Sequence, residues 1–240
     1  MGIVVVIPAY NAGRYLPVVV ARITGAPLPA LQRIIVVNDG STDDTRAVVA
    51  ALPAQRCPIE LIDRPANGGY GAAMKDGLER ARQGDPEIVA CVHADGQYSP
   101  EALPALVATM REQRLDLLQG SRIASGTARS GGMPIYKIFA NAVLNRLENA
   151  TLGLSMTDYH SGYLVYGRRV LADVPFRRLS DSFDFDLEMI AAARARRLAV
   201  AEAPVPTHYG DEVSHLNPIT YGLRVLRVMW NYRRGRYDPN

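Results

Sequence analysis

The residues best suited to chemistry lie in one short run, His93-Ala94-Asp95-Gly96-Gln97. Asp95 and Gln97 offer side-chain oxygens from alternate positions, the ligand type that hard cations such as Mg2+ and Mn2+ take. A cation held there would bridge a diphosphate and act on it as a Lewis acid. His93 has three readings: metal ligand, supporting donor behind the ligands, or direct contact to the diphosphate. An imidazole suits Mn2+ better than Mg2+. The competing structural reading of Asp95 is a helix cap, but Ser99 lies better placed for that.

Stepping along the chain shows what must hold this run. Ile3 to Ile7 is a continuous β-branched stretch closed by Pro8, as expected of a strand buried on both faces. Helical pattern follows from Ala12 to Thr24. Further strands are expected at 33–37, 59–63, 87–92 and 115–119, with helices at 68–82 and after Ser99-Pro100-Glu101. Ser41-Thr42-Asp43-Asp44 reads as a cap and acidic first turn for another helix. Such βα alternation predicts an α/β fold with a mostly parallel central sheet, flanked by helices and Rossmann-like in its first half. The alternation breaks after Gly120. Ser125 to Gly132 reads as a mobile glycine-rich loop, 134–147 as a helix, 164–166 as a strand, 184–195 as a helix, 198–203 as a strand and 218–232 as a closing helix. Without a repeat or linker, one domain over 1–240 is expected.

In open parallel sheets ligands bind outside the carboxyl ends of the strands. Four polar loops fall there: Pro8-Ala9-Tyr10-Asn11, Asn38-Asp39-Gly40-Ser41, Asn67-Gly68-Gly69 and His93-Ala94-Asp95. Ordinary turn chemistry explains any one of them, but not four on one edge. Asp39 leaves its strand with a free carboxylate for a base N–H or ribose hydroxyls, and Tyr10 can lie against a base or sugar. Asn67, Gly68 and Gly69 let backbone approach a ligand at a helix start, where anions are favoured. Lys75 reads as a nucleotide-pocket contact or as a solvated helix lysine.

Val5-Val6-Ile7-Pro8-Ala9-Tyr10-Asn11, Val37-Asn38-Asp39-Gly40-Ser41-Thr42-Asp43 and Ala94-Asp95-Gly96-Gln97-Tyr98 together resemble the signatures of family 2 inverting glycosyltransferases with the GT-A fold. The chain is most similar to the polyprenyl-phosphate hexosyltransferases within that family, over residues 3 to about 205. The resemblance implies a nucleoside-diphosphate sugar donor (UDP- or GDP-linked), with Asp39 on the nucleoside and Asp95 on a divalent metal. It implies inversion at the anomeric carbon. The family usually carries an acid two positions before Asp95, and here His93 replaces it, which weakens the metal expectation. Similar segments put Arg122, of Gly120-Ser121-Arg122, near phosphate. They also make Asp158, ahead of Ser161-Gly162-Tyr163, a catalytic or acceptor-positioning carboxylate. Residues 1–120 thus read as the donor and metal half, 121–240 as the acceptor half.

In Phe183-Asp184-Phe185-Asp186-Leu187-Glu188, Asp184 and Glu188 share a helix face and Asp186 lies away from both. Apolar surroundings raise a carboxyl pKa and suit Asp186 to be a general base toward an alcohol. An ionised phosphate acceptor needs none. The loop Tyr209 to His215 reads as a lid or a donor-side loop, with His215 in reach of phosphate or merely on the surface.

With 240 residues, 48% of them apolar, the chain can bury a large core. Lys75 and Lys137 are the only lysines, so its net charge of +3 rests on arginine, whose planar fork suits phosphate. No long basic run or zinc-finger spacing points to nucleic acid. Cys57 and Cys91 are too few for a disulfide framework. Without a leader pattern or an eighteen-residue apolar run, a cytoplasmic location is expected. The last helix sets Arg224 and Arg227 beside a stripe of Leu223, Leu226 and Trp230, which allows peripheral attachment at the inner membrane face or packing on its own domain. Three rival readings remain. They are a transferase acting on a soluble or glycan hydroxyl, a nucleotidyltransferase, disfavoured because no glycine- and arginine-rich loop follows the first strand, and a non-catalytic nucleotide-sugar-binding module.

Overall fold

The computed structural model describes residues 2–239 apart from 29, 54–55, 125, 127–134 and 207–217; for 135–141 and 218–219 it describes the backbone alone. The strands are β1 (Ile3–Ala9), β2 (Leu31–Asn38), β3 (Ile59–Asp63), β4 (Ile88–Cys91), β5 (Leu117–Ser121), β6 (Leu164–Gly167) and β7 (Val200–Pro204). The helices are α1 (Leu16–Gly25), α2 (Thr45–Ala50), α3 (Tyr70–Arg82), α4 (Leu103–Glu112), α5 (Ile135–Leu152), α6 (Arg168–Asp173), α7 (Phe185–Ala195) and α8 (Pro218–Arg233). The strands form one sheet in the order β3-β2-β1-β4-β6-β5-β7.

The alternation of side chains along a strand builds both sides of this sheet. Val4 and Val6 of β1 point into a cluster with Ala73, Met74 and Leu78 of α3 and much of α7. Ile3, Val5 and Ile7 point the other way, against Leu16, Val20 and Ile23 of α1 and Leu106 of α4. Every β1 residue except Pro8 is buried. Gly77 of α3 is required by contact, since a Cβ there would stand 2.3 Å from Val6 Cγ1.

β1 runs parallel to β2 and β4, β2 to β3, and β5 to β7. β6 is the exception that the βα alternation does not show: it is antiparallel to both β4 and β5. This reversal has a positional consequence. The segment entering β6, residues 157–163, emerges at the same edge as the carboxyl ends of β4 and β5, so the second half of the chain contributes to the crevice predicted from the first.

Apart from α6, which the sequence pattern does not predict, and α5, which runs on to Leu152, the elements match the sequence expectations within a few residues, with two differences in capping. Ser41 does not cap α2; its hydroxyl accepts the Asn11 amide, and the acids lie ahead of the first turn. Ser99 makes no capping bond either, and its hydroxyl instead binds Glu101, 2.6 Å away. Cys57 and Cys91 are buried free thiols. Among the described residues no helix is long and apolar enough to cross a membrane. The expected loop at 125–132 falls almost wholly outside the described residues, as do Pro134 and the segment 209–215 with His215.

Candidate functional site

The first two loops are knitted together. β1 and β2 end in register, Ala9 opposite Asn38, and the Asp39 amide continues the ladder to the Ala9 carbonyl at 2.8 Å. Asn11, in the left-handed region at φ 50°, accepts the Thr42 amide at 2.8 Å while its own amide donates to Ser41 Oγ at 2.9 Å. Ala12 and Gly13 donate to Thr45 Oγ1 and Asp43 Oδ2. This lattice leaves Tyr10 half exposed, 51%, on top of the edge, with Pro8 and Ala9 as its strand support.

Asp39 is not the free carboxylate that its position suggests. It is buried and accepts the Arg64 guanidinium, the Gly68 amide at 3.0 Å and the Gly69 amide at 2.9 Å. A carboxylate has about four acceptor positions, so about one remains for a ligand. Gly40 makes the approach of the two loops feasible: its φ is 65°, and a Cβ would lie 2.4 Å from the Ala66 carbonyl carbon. Asn67 accepts the Gly69 amide at 3.1 Å.

The start of α3 is also filled from within. Asp39 takes the Gly68 and Gly69 amides, and the Asp181 carbonyl takes the Ala72 amide at 3.2 Å. The Gly68, Gly69 and Ala72 amides, among the backbone donors that could greet an anion there, thus already have partners. Lys75 is neither solvated nor turned to the edge. Its buried ammonium binds the Leu179 carbonyl and Asp181 Oδ1, tying α3 to the turn ahead of α7.

Beyond β4, Asp95 Oδ1 accepts the Gln97 amide at 3.0 Å, which fixes the carboxylate at the turn, with Ala94 buried beneath. The His93 ring packs between Tyr70 and Tyr98, with centroids 5.4 Å from each. Its Nε2 is buried, with no hydrogen-bond partner, against Gly162, where a Cβ would stand 2.7 Å away. Burial pushes the imidazole pKa down; Asp95 and the Gly162 backbone pull it up, and Arg122 adds to the lowering. The structure therefore buries His93 Nε2 instead of presenting it beside Asp95 and Gln97. Among the described residues no three His, Cys, Asp or Glu side chains cluster as a metal site. One carboxylate and one amide still fit a cation that takes its remaining ligands from a diphosphate and water, the usual arrangement for Mg2+.

Asp186 faces this group from α7. Tyr70 donates to its Oδ2 at 2.8 Å, while its buried Oδ1 has no partner. Burial lifts its pKa to about 7 against the hydrogen bond from Tyr70 and the influence of the nearby Tyr166 hydroxyl. Phe183, 52% exposed, stacks on Tyr70 with centroids 5.9 Å apart. Asp184 and Glu188 lie on the other face of α7, as the helical spacing predicts. Glu188 accepts the Ser180 amide and the Tyr237 hydroxyl, and Asp184 binds Ser180 and Arg224. They line a cavity of about 660 Å³ beside Arg227 and Tyr237, away from the sheet edge.

At the end of β5, Arg122 grips Asp158 through Nε at 2.7 Å and Nη2 at 2.9 Å, and also donates to the His160 carbonyl at 3.1 Å. Burial alone would raise the Asp158 pKa, but the Arg122 charge and hydrogen bonds hold it below the usual carboxylate range. Asp158 is thus an ionised, buried partner of Arg122, which suits positioning better than proton transfer. Several residues that organise the edge carried no motif in the sequence: Arg64, Tyr70, Asn145, Asn149 and Glu202. The one signal available was the pair Asn145 and Asn149, four apart on one face of α5.

The chain belongs to glycosyl transferase family 2, whose family model matches residues 4–174. Its fold is GT-A, as the three motifs imply. The low-salt glycan biosynthesis hexosyltransferase Agl6 of Haloferax volcanii is 32% identical over 81% of the chain, which spans 45% of that protein's length. The polyprenol monophosphomannose synthase of Mycolicibacterium smegmatis is 29% identical over 84% of the chain and 75% of that protein. Among solved structures, glucosyl-3-phosphoglycerate synthase from Mycobacterium tuberculosis in complex with UDP superposes with a TM-score of 0.70 at 19% identity, over 100% of this chain and 81% of that one. Another crystal of the same synthase holds Mn2+, UDP and glucosyl-3-phosphoglycerate, with a TM-score of 0.66 at 19% identity.

Proposed function

We propose that the protein transfers a hexose from a UDP- or GDP-sugar to a polyprenyl phosphate, inverting the anomeric centre. The observation that carries this reading is the pairing of Arg122 with Asp158 at the edge shared with Asp95 and His93. Arg122 stands near enough to His93 to oppose its protonation, so one crevice has a carboxylate at one side and a rigid guanidinium at the other. In this reading Tyr10, Asn11, Asp39 and the 67–68 turn receive the nucleotide, and Arg122 receives the acceptor phosphate. Asp95 and Gln97 would hold Mg2+ or Mn2+, which when bound neutralises charge on the departing diphosphate. An acceptor phosphate oxygen attacks the anomeric carbon from the face opposite the diphosphate, and the bond to the diphosphate breaks with its electron pair. Orientation and charge stabilisation supply the rate, and the ionised acceptor needs no base. Relatives named as polyprenol monophosphomannose synthase and undecaprenyl-phosphate mannosyltransferase support this acceptor class.

A hydroxyl acceptor is the second reading, favoured by the near-neutral carboxyl of Asp186, whose Oδ1 has no partner. The two separate in one assay: labelled hexose from UDP- and GDP-sugars is offered to a polyprenyl phosphate and to the corresponding alcohol. The expected result is transfer to the phosphate alone, with Asp186→Asn retaining activity within about tenfold. Transfer to the alcohol, with a loss of about 10² to 10⁴ in Asp186→Asn, would mark a base and overturn the phosphate reading. Peripheral membrane contact through α8 fits such an acceptor, because Leu223, Leu226 and Trp230 are exposed beside Arg227 and Arg234.

A further inference from the structure

The segment 156–160, which carries Asp158, is fastened from three distant elements. Asn149 of α5 both accepts the Met156 amide and donates to the Met156 carbonyl, each at 2.8 Å, and Asn145 donates to the Thr157 carbonyl. Glu202 of β7 accepts the Thr157 amide at 2.7 Å and the Asp158 amide at 3.2 Å. From α8, the Tyr221 hydroxyl lies 2.9 Å from His160 Nδ1, with the two rings edge-on at 81°.

Glu148 of α5 is the residue that these fastenings do not explain. It is wholly buried, and neither carboxylate oxygen has a hydrogen-bond partner. A carboxylate in that position is expensive unless a donor faces it. The facing group is His160 Nε2, 3.4 Å from Glu148 Oε1. Neither atom has a hydrogen-bond partner; a proton on Nε2 would face Glu148 and leave Nδ1 to accept the Tyr221 hydroxyl. The imidazole is therefore clamped between α5 and α8. Its own backbone completes the connection, because the His160 amide donates to Asp158 Oδ1 at 3.0 Å and its carbonyl accepts Arg122 Nη2.

We propose that His160 is a positioning residue for Arg122, and that Tyr221 and Glu148 set its orientation. The placement of α8 is thereby transmitted to the acceptor-side guanidinium over a path of direct contacts. The consequence for transfer rests on the reading of Arg122 as the acceptor-phosphate contact; the clamp itself does not.

The test is kinetic and spectroscopic. Tyr221→Phe removes one hydroxyl and keeps the ring, so the fold is retained. It should raise the acceptor KM about fivefold with the donor KM unchanged, and the same substitution in an Arg122→Lys background should change the acceptor KM less than twofold, since contacting groups couple. In the intact protein, 15N shifts of His160 should show protonated Nε2 and bare Nδ1, and Tyr221→Phe should mix the two tautomers. Equal changes in both KM values, or full additivity with Arg122→Lys, would overturn the positioning role. A His160 protonated at Nδ1 alone would overturn the clamp. If Arg122→Lys leaves the acceptor KM unchanged while Nε2 carries the proton, the acceptor reading of Arg122 fails and the clamp stands.

Discussion

Around β1, β2 and β3 the polar loops are fastened to one another, whereas the segment ahead of β6 is fastened by side chains of a helix before it and of a strand and a helix well after it. Asn11, Ser41, Thr42 and Asp43 exchange hydrogen bonds across two neighbouring loops, and Asp39 closes the third onto them. On the other side, Asp158 and its neighbours depend on α5, on Glu202 of β7 and on Tyr221 of α8, which is 61 residues beyond His160. The first arrangement is a property of the loops and travels as short motifs. The second is a property of packing, and the side chains that make it are spread from Asn145 to Tyr221.

The sharpest break of this comparison is at Asp95. Asp95→Asn should lower transfer about a thousandfold or more while the melting temperature holds, as measured by initial rates over a Mn2+ titration. Asp39→Asn should act on stability as well as on nucleotide affinity. It removes the buried charge that faces Arg64 and sets an amide NH2 against at least one of the Gly68 and Gly69 amides, at a cost of about 3 kcal/mol by denaturant unfolding. A loss confined to nucleotide binding would show that the loops are held otherwise. Arg122→Lys keeps the charge but loses the fork on Asp158, and should raise the acceptor KM about tenfold with the donor KM untouched.

Smaller still is the effect of pH on Asp186. Its folded pKa, about 7, lies above the unfolded value near 4, so between those limits the native state keeps a proton that the unfolded state has released. Stability from this group is therefore present at low pH and is lost as pH rises toward 7. Asp186→Asn should raise the melting temperature at pH 8 by about 5 °C and leave it nearly unchanged at pH 4. A gain equal at both values would mean that the native carboxyl is ionised throughout.

The same contrast explains which parts were legible in the sequence. The β1 run, the strand-end loops and the motif at Asp95 depend on period-2 burial and on turn residues, both local, and the observed strands fall where these place them. The sequence shows Asp39 as a strand-end carboxylate but not that it is occupied, because Arg64 bears no motif. Lys75 has no visible partner in the sequence, since Leu179 and Asp181 come from over a hundred residues away. The antiparallel course of β6 was hidden because four apolar residues look alike in either direction. The polar face of α5 showed only as a weak spacing, and its meaning required Met156, Thr157 and His160 to be brought against it.

Nucleoside diphosphate affinity, measured by calorimetry with and without Mn2+ in the parent protein, Asp95→Asn and Arg122→Lys, tests the division of the edge most directly. The account expects Mn2+ to tighten binding at least about tenfold in the parent protein and in Arg122→Lys, and not in Asp95→Asn. Full enhancement by Mn2+ in Asp95→Asn, or its loss in Arg122→Lys, would contradict it.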